Sequence, residues 1–420
     1  MSLLWSAAPA SSASNDAVKM SPSSDGDVWA KKLGETTSLP AFYFAGYSGG
    51  WPQNRAIFAS GYPTKSRSLS GYANQGLSIL NVDVASGHVQ EFKDIPTTTC
   101  GTRTQTVLGD VTVARDYSGL STSQYLKAAY VVDTSGNTFQ YVPGLSDSSK
   151  VLTNLYALGC TQPLYFAPAV VQLDRAPKAD TSSKGFIYLT QVTNSNLDPD
   201  TMKDASLYSQ IVVTKLDGNS TGGPPTIVSN YNLVDDPYGH GQVVLTTNPN
   251  TPYPATQICL QPVNGNSVDS FTDSTKKKGQ TCAQAGGTLL PSTARPVGTP
   301  TAILRGDGLG FQIITSWYDP TSMTNDCSSG KQFNYGKSYI TVHEFGADGT
   351  WYQIAGAALD NTVLTGVAFA GIGLFVDGIN ASATPQGLNI GETFSTMQQV
   401  LNNNARDRYS RTSWTERVDL

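Results

Sequence analysis

Short runs of β-branched and aromatic residues, alternating with polar ones and closed by Asp- or Gly-bearing turns, recur along this chain. Four stretches share the pattern: 76–92 (GLSILNVDVASGHVQEF), 127–142 (KAAYVVDTSGNTFQYV), 208–220 (YSQIVVTKLDGNS) and 337–354 (KSYITVHEFGADGTWYQI). Alternation with period two marks a strand whose two faces meet different surroundings. Gly, Asn or Asp between two such runs supplies the positive φ that a tight turn needs, so each stretch is predicted as a hairpin. A further strand pair precedes three of them, over 38–62, 165–194 and 297–320. Together they form a repeated four-stranded unit of roughly 40–60 residues, the sequence form of a propeller blade. Stacked β-sandwiches use the same hairpins and are the competing topology.

The fold class predicted is therefore all-β, a modified β-propeller of four-stranded blades with long inter-strand loops. It occupies residues 1–390, and a closing segment with a short helix follows over 391–420. About five to seven blades can be drawn. The stretches 143–154, 194–206 and 235–296 are polar, Pro- or Gly-punctuated and poorly periodic. They are predicted as long loops, and loops of that length build the variable surface of a module. Near the end, Phe394, Met397 and Val400 fall on one face of a helical stretch.

Composition sharpens this picture. Charged residues are 14% of the chain, against about 25% in an average soluble protein. With 40 Gly, 23 Pro and 20 Tyr, the chain is rich in turn formers and aromatics. The net charge is -5 and no long basic run exists to neutralise a phosphate backbone, so nucleic-acid binding is set aside. No apolar run is long enough for a membrane span; glycines at Gly366, Gly371 and Gly373 interrupt the most apolar one, over 363–376, which reads as a buried strand pair. The N-terminal MSLLWSAAPASSAS lacks a basic head and a sustained apolar run and does not read as a secretory signal; if the protein is exported, its signal is expected upstream.

The five cysteines lack the C-x-x-C spacing of a zinc site or redox pair. Cys259 and Cys282 flank a polar loop and are the first disulfide expected, with Cys100 and Cys160 the second, leaving Cys327 over. Five free thiols in a reducing cell is the competing reading.

At this point the order of motifs resembles a known family. RAIFASGY, with Ser60, Gly61 and Tyr62, is followed by GLSILNVDVASGH, with Asp83 and Gly87. GDVTVARDY, with Ala114 and Asp116, comes next, and then KAAYVVDTSGNTFQYV, with Tyr130, Asp133, Gly136, Asn137 and Phe139. This succession, with LLW near the start and RTSWTER at 411–417, resembles the C-terminal propeller of PilC/PilY type IV pilus tip proteins. It is clearest over 40–142. The resemblance implies a seven-bladed propeller at or near the pilus tip, preceded by a region with a von Willebrand A-like domain, so that this chain is a C-terminal fragment. It also implies assembly with minor pilins, opposition to retraction, adhesion to host or abiotic surfaces, twitching motility, and a periplasmic, outer-membrane-associated or extracellular location. Trp414 then anchors the closing segment, and Trp414→Ala is expected to cost about 3–5 kcal/mol.

Relatives of this family carry a calcium loop after the A-x-D strand. Here Asp116 and Ser118 are its remnant, and one carboxylate followed by hydroxyls supplies little charge for a hard cation. The default there is a solvated turn with no cofactor. LDPDTMKD, 197–204, is richer in carboxylates but lacks the turn glycine. Arg305, Gly306 and Asp307 spell an integrin-recognised adhesion tripeptide, although the same residues make an adequate hairpin turn. For catalysis the chain has three histidines: His88 after a turn, His240 in a polar loop and His343 in an alternating strand. None stands in a nucleophile motif, and the expectation is a binding module with no active site. The enzyme rival is a quinone-dependent dehydrogenase-like propeller, which lacks its adjacent cysteines here. The other rival is a carbohydrate-binding propeller using Trp51, Tyr72, Trp317 or Tyr318.

Overall fold

The computed structural model describes residues 26–36, 38–101, 103–115, 126–173, 186–195, 207–217, 224–227, 242–247, 256–260, 288–305, 310–323, 336–346, 351–370 and 373–380. Among the described residues the chain is all-β, with mostly antiparallel sheets of two to six strands and two short α-helices, in two compact units. The first comprises residues 1–168 and 222–225; the second comprises 169–221 and 226–420.

In the first unit, α1 (Gly26–Lys32) precedes β1 (Ala41–Ser48), β2 (Trp51–Ala59), β3 (Ser78–Asp83) and β4 (Val89–Asp94). These four strands pair in sequence order as one antiparallel meander. Gly49 and Gly50 join β1 to β2 at φ of 57° and 84°. A two-residue turn matching the strand twist needs both residues in that region, which glycine occupies without a Cβ penalty.

A second meander follows: β5 (Thr112–Arg115), β6 (Leu126–Val132), β7 (Asn137–Tyr141) and, after helix α2 (Ser148–Val151), β8 (Leu152–Ala157). The sequence reading made 143–154 a loop, but β8 begins inside it. Leu152, Thr153 and Asn154 pair with Tyr141, Gln140 and Phe139. Ladder partners on β7 decide the conformation of this short polar run, which carries no hydrophobic alternation of its own.

Alternation places the cores. Ala41, Tyr43, Ile57, Ala59 and Ile79 of the first sheet cluster with Ala129, Val131, Phe139 and Tyr141 of the second. On the opposite face of the first sheet, Leu80, Val82 and Val89 pack with Phe58 against Trp29 and Leu33. The Trp29 and Phe58 rings meet edge to face at 5.8 Å. One sheet is thus covered by a sheet on one side and by α1 on the other.

In the second unit, β9 (Ala169–Leu173), β10 (Phe186–Val192), β11 (Gln210–Asp217), β12 (Thr226–Ile227), β13 (Gln242–Thr246) and β14 (Thr256–Gln257) form one sheet. Its main path runs β9-β10-β11-β13-β14, with β12 also on β11 and β14 parallel to β13. The stretch 208–220 was expected to reverse as a hairpin; its described part is the single strand β11, whose neighbours are β10, β12 and β13. Two short strands, β15 (Cys259–Leu260) and β16 (Thr288–Leu289), pair with each other.

The next sheet contains β17 (Arg295–Pro296), β18 (Thr301–Leu304), β19 (Gly310–Asp319), β20 (Lys337–Gly346) and β21 (Trp351–Asp360), in the order β17-β19-β20-β21 with β18 also on β19. Every residue of β19 is buried, as expected of a strand covered on both faces. The Phe311 ring lies 4.8 Å from Tyr188 and 5.4 Å from Phe345, giving this unit an aromatic column. A final hairpin pairs β22 (Thr362–Ala370) with β23 (Gly373–Asn380), where the glycine-interrupted apolar run was expected to form two strands. The closing segment 391–420, with Phe394, Met397, Val400 and Trp414, lies outside the described residues.

Candidate functional site

The sequence elements that carry the resemblance meet at the ends of strands. After β6, Asp133 is fully buried and organises the turn into β7. Its Oδ1 accepts the backbone N–H groups of Ser135 and Asn137, each at 2.9 Å. Its Oδ2 accepts from Asn137 Nδ2 at 2.9 Å and from Gln105 Nε2 at 2.7 Å. A short carboxylate reaching its own downstream N–H groups is why Asp and Asn recur in such turns. Burial pushes the Asp133 carboxyl above the usual carboxylate range, and the donors from Gln105, Asn137 and Ser135 pull it part of the way back.

Gly136 completes the turn at φ 81°, with no room for a side chain: a Cβ there would lie 2.5 Å from the Gly159 carbonyl oxygen and 2.8 Å from that of Gln162. The segment entering the second sheet is tied to the same turn. Thr106 N–H donates to Thr134 Oγ1, and Thr134 N–H to the Thr106 carbonyl, both at 3.0 Å.

The arrangement recurs elsewhere. Asp319, at the end of β19, accepts from Thr321 N–H at 3.0 Å and from Thr293 Oγ1, on the incoming segment, at 2.8 Å. Asp83, at the end of β3, accepts from Ser86 N–H at 2.9 Å. Asp83 and Asp133 are two of the three aspartates in the motifs that carry the resemblance, and both organise turns.

The disulfides follow the same geography. Cys100 and Cys160 are joined, with Cα atoms 5.3 Å apart. Cys259 is also disulfide-bonded; Cys282, expected as its partner, and Cys327 lie outside the described residues. So do Asp116 and Ser118, the loop 197–204, His240, Gly306 and Asp307. Arg305 is described. Its guanidinium pairs at 2.8 Å with Glu344, a side chain only 3% exposed that also accepts from Gln312 Nε2 at 3.0 Å. An Arg held by a buried carboxylate anchors the end of β18 to β20.

Of the expected sugar-stacking aromatics, Trp317 is fully buried and donates to Thr341 Oγ1 at 2.9 Å, and Tyr318 is 8% exposed. Burial removes both from any surface role. Tyr72 is half-buried. Among the described residues, a row of exposed aromatics lies on edge strand β1. Tyr47 is 71% and Phe42 45% exposed, Leu39 precedes them at 68%, and the Phe44 and Tyr47 rings meet edge to face at 5.0 Å. A bulge between Phe44 and Gly46 shifts the register so that Tyr47 joins Phe44 on one face. Asn54, exposed on β2, sits directly opposite Phe44. No charged residue occurs between Glu35 and Arg55. Sequence reasoning read β1 as a strand and missed this row, because period two alone does not say which face lacks cover.

Two buried ionisable groups were also unforeseen. His343, fully buried on β20, has its pKa lowered to about 3 by burial, against a weaker upward pull from Gln353. Its Nδ1 has no hydrogen-bond partner, while Gln353 accepts from Cys259 N–H at 3.0 Å and donates back to the Cys259 carbonyl. Arg295, 1% exposed, donates to the carbonyls of Ser292 at 2.8 Å and Leu207 at 3.0 Å, holding two connecting segments together.

No family model and no curated protein matches the chain. Among solved structures, the chain is similar to the Pseudomonas aeruginosa PilY1 C-terminal domain, with 13% identity, 76% of this chain and 60% of that domain covered, and a TM-score of 0.39. That relationship is remote. The chain thus spans about 60% of the length of the domain it matches. A second similar structure is BBS1N in complex with ARL6DN, with 10% identity, coverage of 81% of this chain and 76% of that one, and a TM-score of 0.28. The core factor of S. cerevisiae follows, with 9% identity, coverage of 79% and 53%, and a TM-score of 0.20.

Proposed function

We propose that this chain is a binding and assembly module of the PilC/PilY type, a propeller-like array acting outside the cytoplasm at or near a type IV pilus tip. The observation that carries the reading is the way the resembling motifs fall in the fold. Asp83 with Gly87 makes the turn between the third and fourth strands of the first four-stranded meander, and Asp133 with Gly136 and Asn137 the turn between the second and third strands of the next. The Cys100–Cys160 disulfide supports an oxidising compartment. The buried ionisable groups support binding over catalysis, since Asp133 organises a turn and Glu344 pairs with Arg305. Minor pilins are the partners this reading names. Co-purification of the chain, alone and with its upstream region, against minor pilins of the same cell tests it. Retention in either form supports the proposal, and no association in both forms overturns it.

A second reading is favoured by one observation, the uncharged row of Phe42, Phe44 and Tyr47 beside Asn54. Aromatic faces stack on the C–H faces of sugar rings, and a neighbouring amide serves the hydroxyls. The ligand would be a neutral carbohydrate on a host or abiotic surface. A glycan array probed with wild type and Tyr47→Ala separates this reading from protein-only adhesion.

A further inference from the structure

We propose that the Cys100–Cys160 disulfide is a redox latch, which holds the loop carrying Arg103 against the Gly159–Gln162 turn and releases it on reduction while both sheets of the first unit stay folded.

The geometry separates the latch from the fold. Neither sulfur belongs to the two hydrophobic clusters that hold the sheets and α1 together. Both cysteines are half-buried and within reach of a small dithiol. On one side of the bond, Arg103 N–H donates to the Cys100 carbonyl at 3.1 Å, and Arg103 Nη1 crosses to the Cys160 carbonyl at 2.7 Å. On the other side, the turn closes through Gln162 N–H to the Gly159 carbonyl at 3.0 Å. That turn is pressed onto Gly136 and receives Arg103, so the bond clamps two surface segments to each other.

Behind the loop the chain is held independently. Gln105 donates to Asp133 at 2.7 Å, Thr106 and Thr134 exchange two hydrogen bonds, and Val107 N–H donates to the Gly76 carbonyl at 3.1 Å. Opening therefore stops at Thr104, whose carbonyl accepts from Thr134 Oγ1 at 3.0 Å. A crossing Arg–carbonyl bond on a half-exposed loop lies at the low end of local stability once its covalent support is removed.

The step is thiol–disulfide exchange. One thiolate of a dithiol attacks a latch sulfur, its second thiolate displaces the mixed disulfide, and the protein gains two thiols as the dithiol closes to its own disulfide. Two electrons pass from reductant to protein. In an oxidising compartment the loop stays latched, and in a reducing one it opens.

Limited trypsin digestion reads the latch, because the bond after Arg103 lies within the clamped loop. The oxidised protein, the dithiol-treated protein and the Cys100→Ser/Cys160→Ser variant, whose Cys259 disulfide is left intact, would be compared. Expected is cleavage after Arg103 about tenfold faster in the treated protein and the variant, with unchanged far-UV circular dichroism and reversal on reoxidation of the treated sample. A change below about twofold, or loss of the β-sheet spectrum in the variant, would overturn the proposal, the latter by making the bond a staple of the whole fold.

Discussion

The buried imidazole of His343 gives the protein a calculable acid sensitivity. Its pKa is lowered from 6.5 to about 3 by burial, and its Nδ1 has no hydrogen-bond partner. Between those two values the unfolded chain binds a proton that the folded chain refuses, so this residue makes stability fall as pH falls. The loss begins near the unfolded value of 6.5 and continues until about 3. Each unit of pH in that window costs about 1.4 kcal/mol, so wild type at pH 5 loses roughly 2 kcal/mol relative to pH 8 through this residue.

His343→Gln keeps a polar group beside Gln353 and cannot titrate. Urea unfolding of both proteins at the two pH values measures the effect as a difference of differences, which cancels every other titrating group. The wild-type imidazole resonance, followed by NMR, is expected to stay unshifted from pH 8 to 5. Stability curves that run parallel within about 0.5 kcal/mol, or a resonance that titrates near 6.5, would refute the reasoning.

Three further substitutions test the packing and the surface. Gly136→Ala combines a left-handed backbone with a clash against two carbonyls, and is expected to cost roughly 2–4 kcal/mol in chemical denaturation; a loss under about 1 kcal/mol would mean the 159–162 turn yields freely. Trp317→Ala removes a fully buried indole and its bond to Thr341, and the expected loss is about 3–5 kcal/mol, read from the denaturation midpoint and slope. Tyr47→Ala changes stability by no more than about 0.5 kcal/mol, because the ring is largely exposed, yet lowers retention on glycan or pilin surfaces; unchanged retention removes the aromatic row from the interaction surface.

Much of the architecture was legible because β-sheets write themselves as alternation and turns. The hairpins over 76–92, 127–142 and 337–354, and the strand pairs preceding three of the stretches, stand where aromatic runs meet Gly, Asn or Asp. What escaped was decided by contacts distant in sequence. β8 is a strand because β7 lies beside it, and although β11 does pair antiparallel with β12 beyond its turn residues, its longer partner β13 comes from further along the chain. The site was less readable for the same reason. Trp317 and Tyr47 are both aromatic residues in strands, and only the surroundings decide that one is core and the other surface. Asp133 and Gly136 could be named from the motif, but Gln105, which donates to Asp133 from 28 residues upstream, carries no local signal. Arg305 is a similar case, since its pairing with Glu344, 39 residues downstream, carries no local signal.

The meander order of the first unit governs how the chain can be made. β1 to β4 come from one unbroken stretch, 41–94, and β5 to β8 from the next, 112–157. A polypeptide emerging amino end first from a ribosome or a translocation pore has every strand of the first sheet in hand before any strand of the second appears. Cys100 leaves the exit just after the first sheet is complete and meets Cys160 only once the second has followed it. Oxidation there seals a region already assembled, and an oxidase acting too early finds no neighbouring thiol to join.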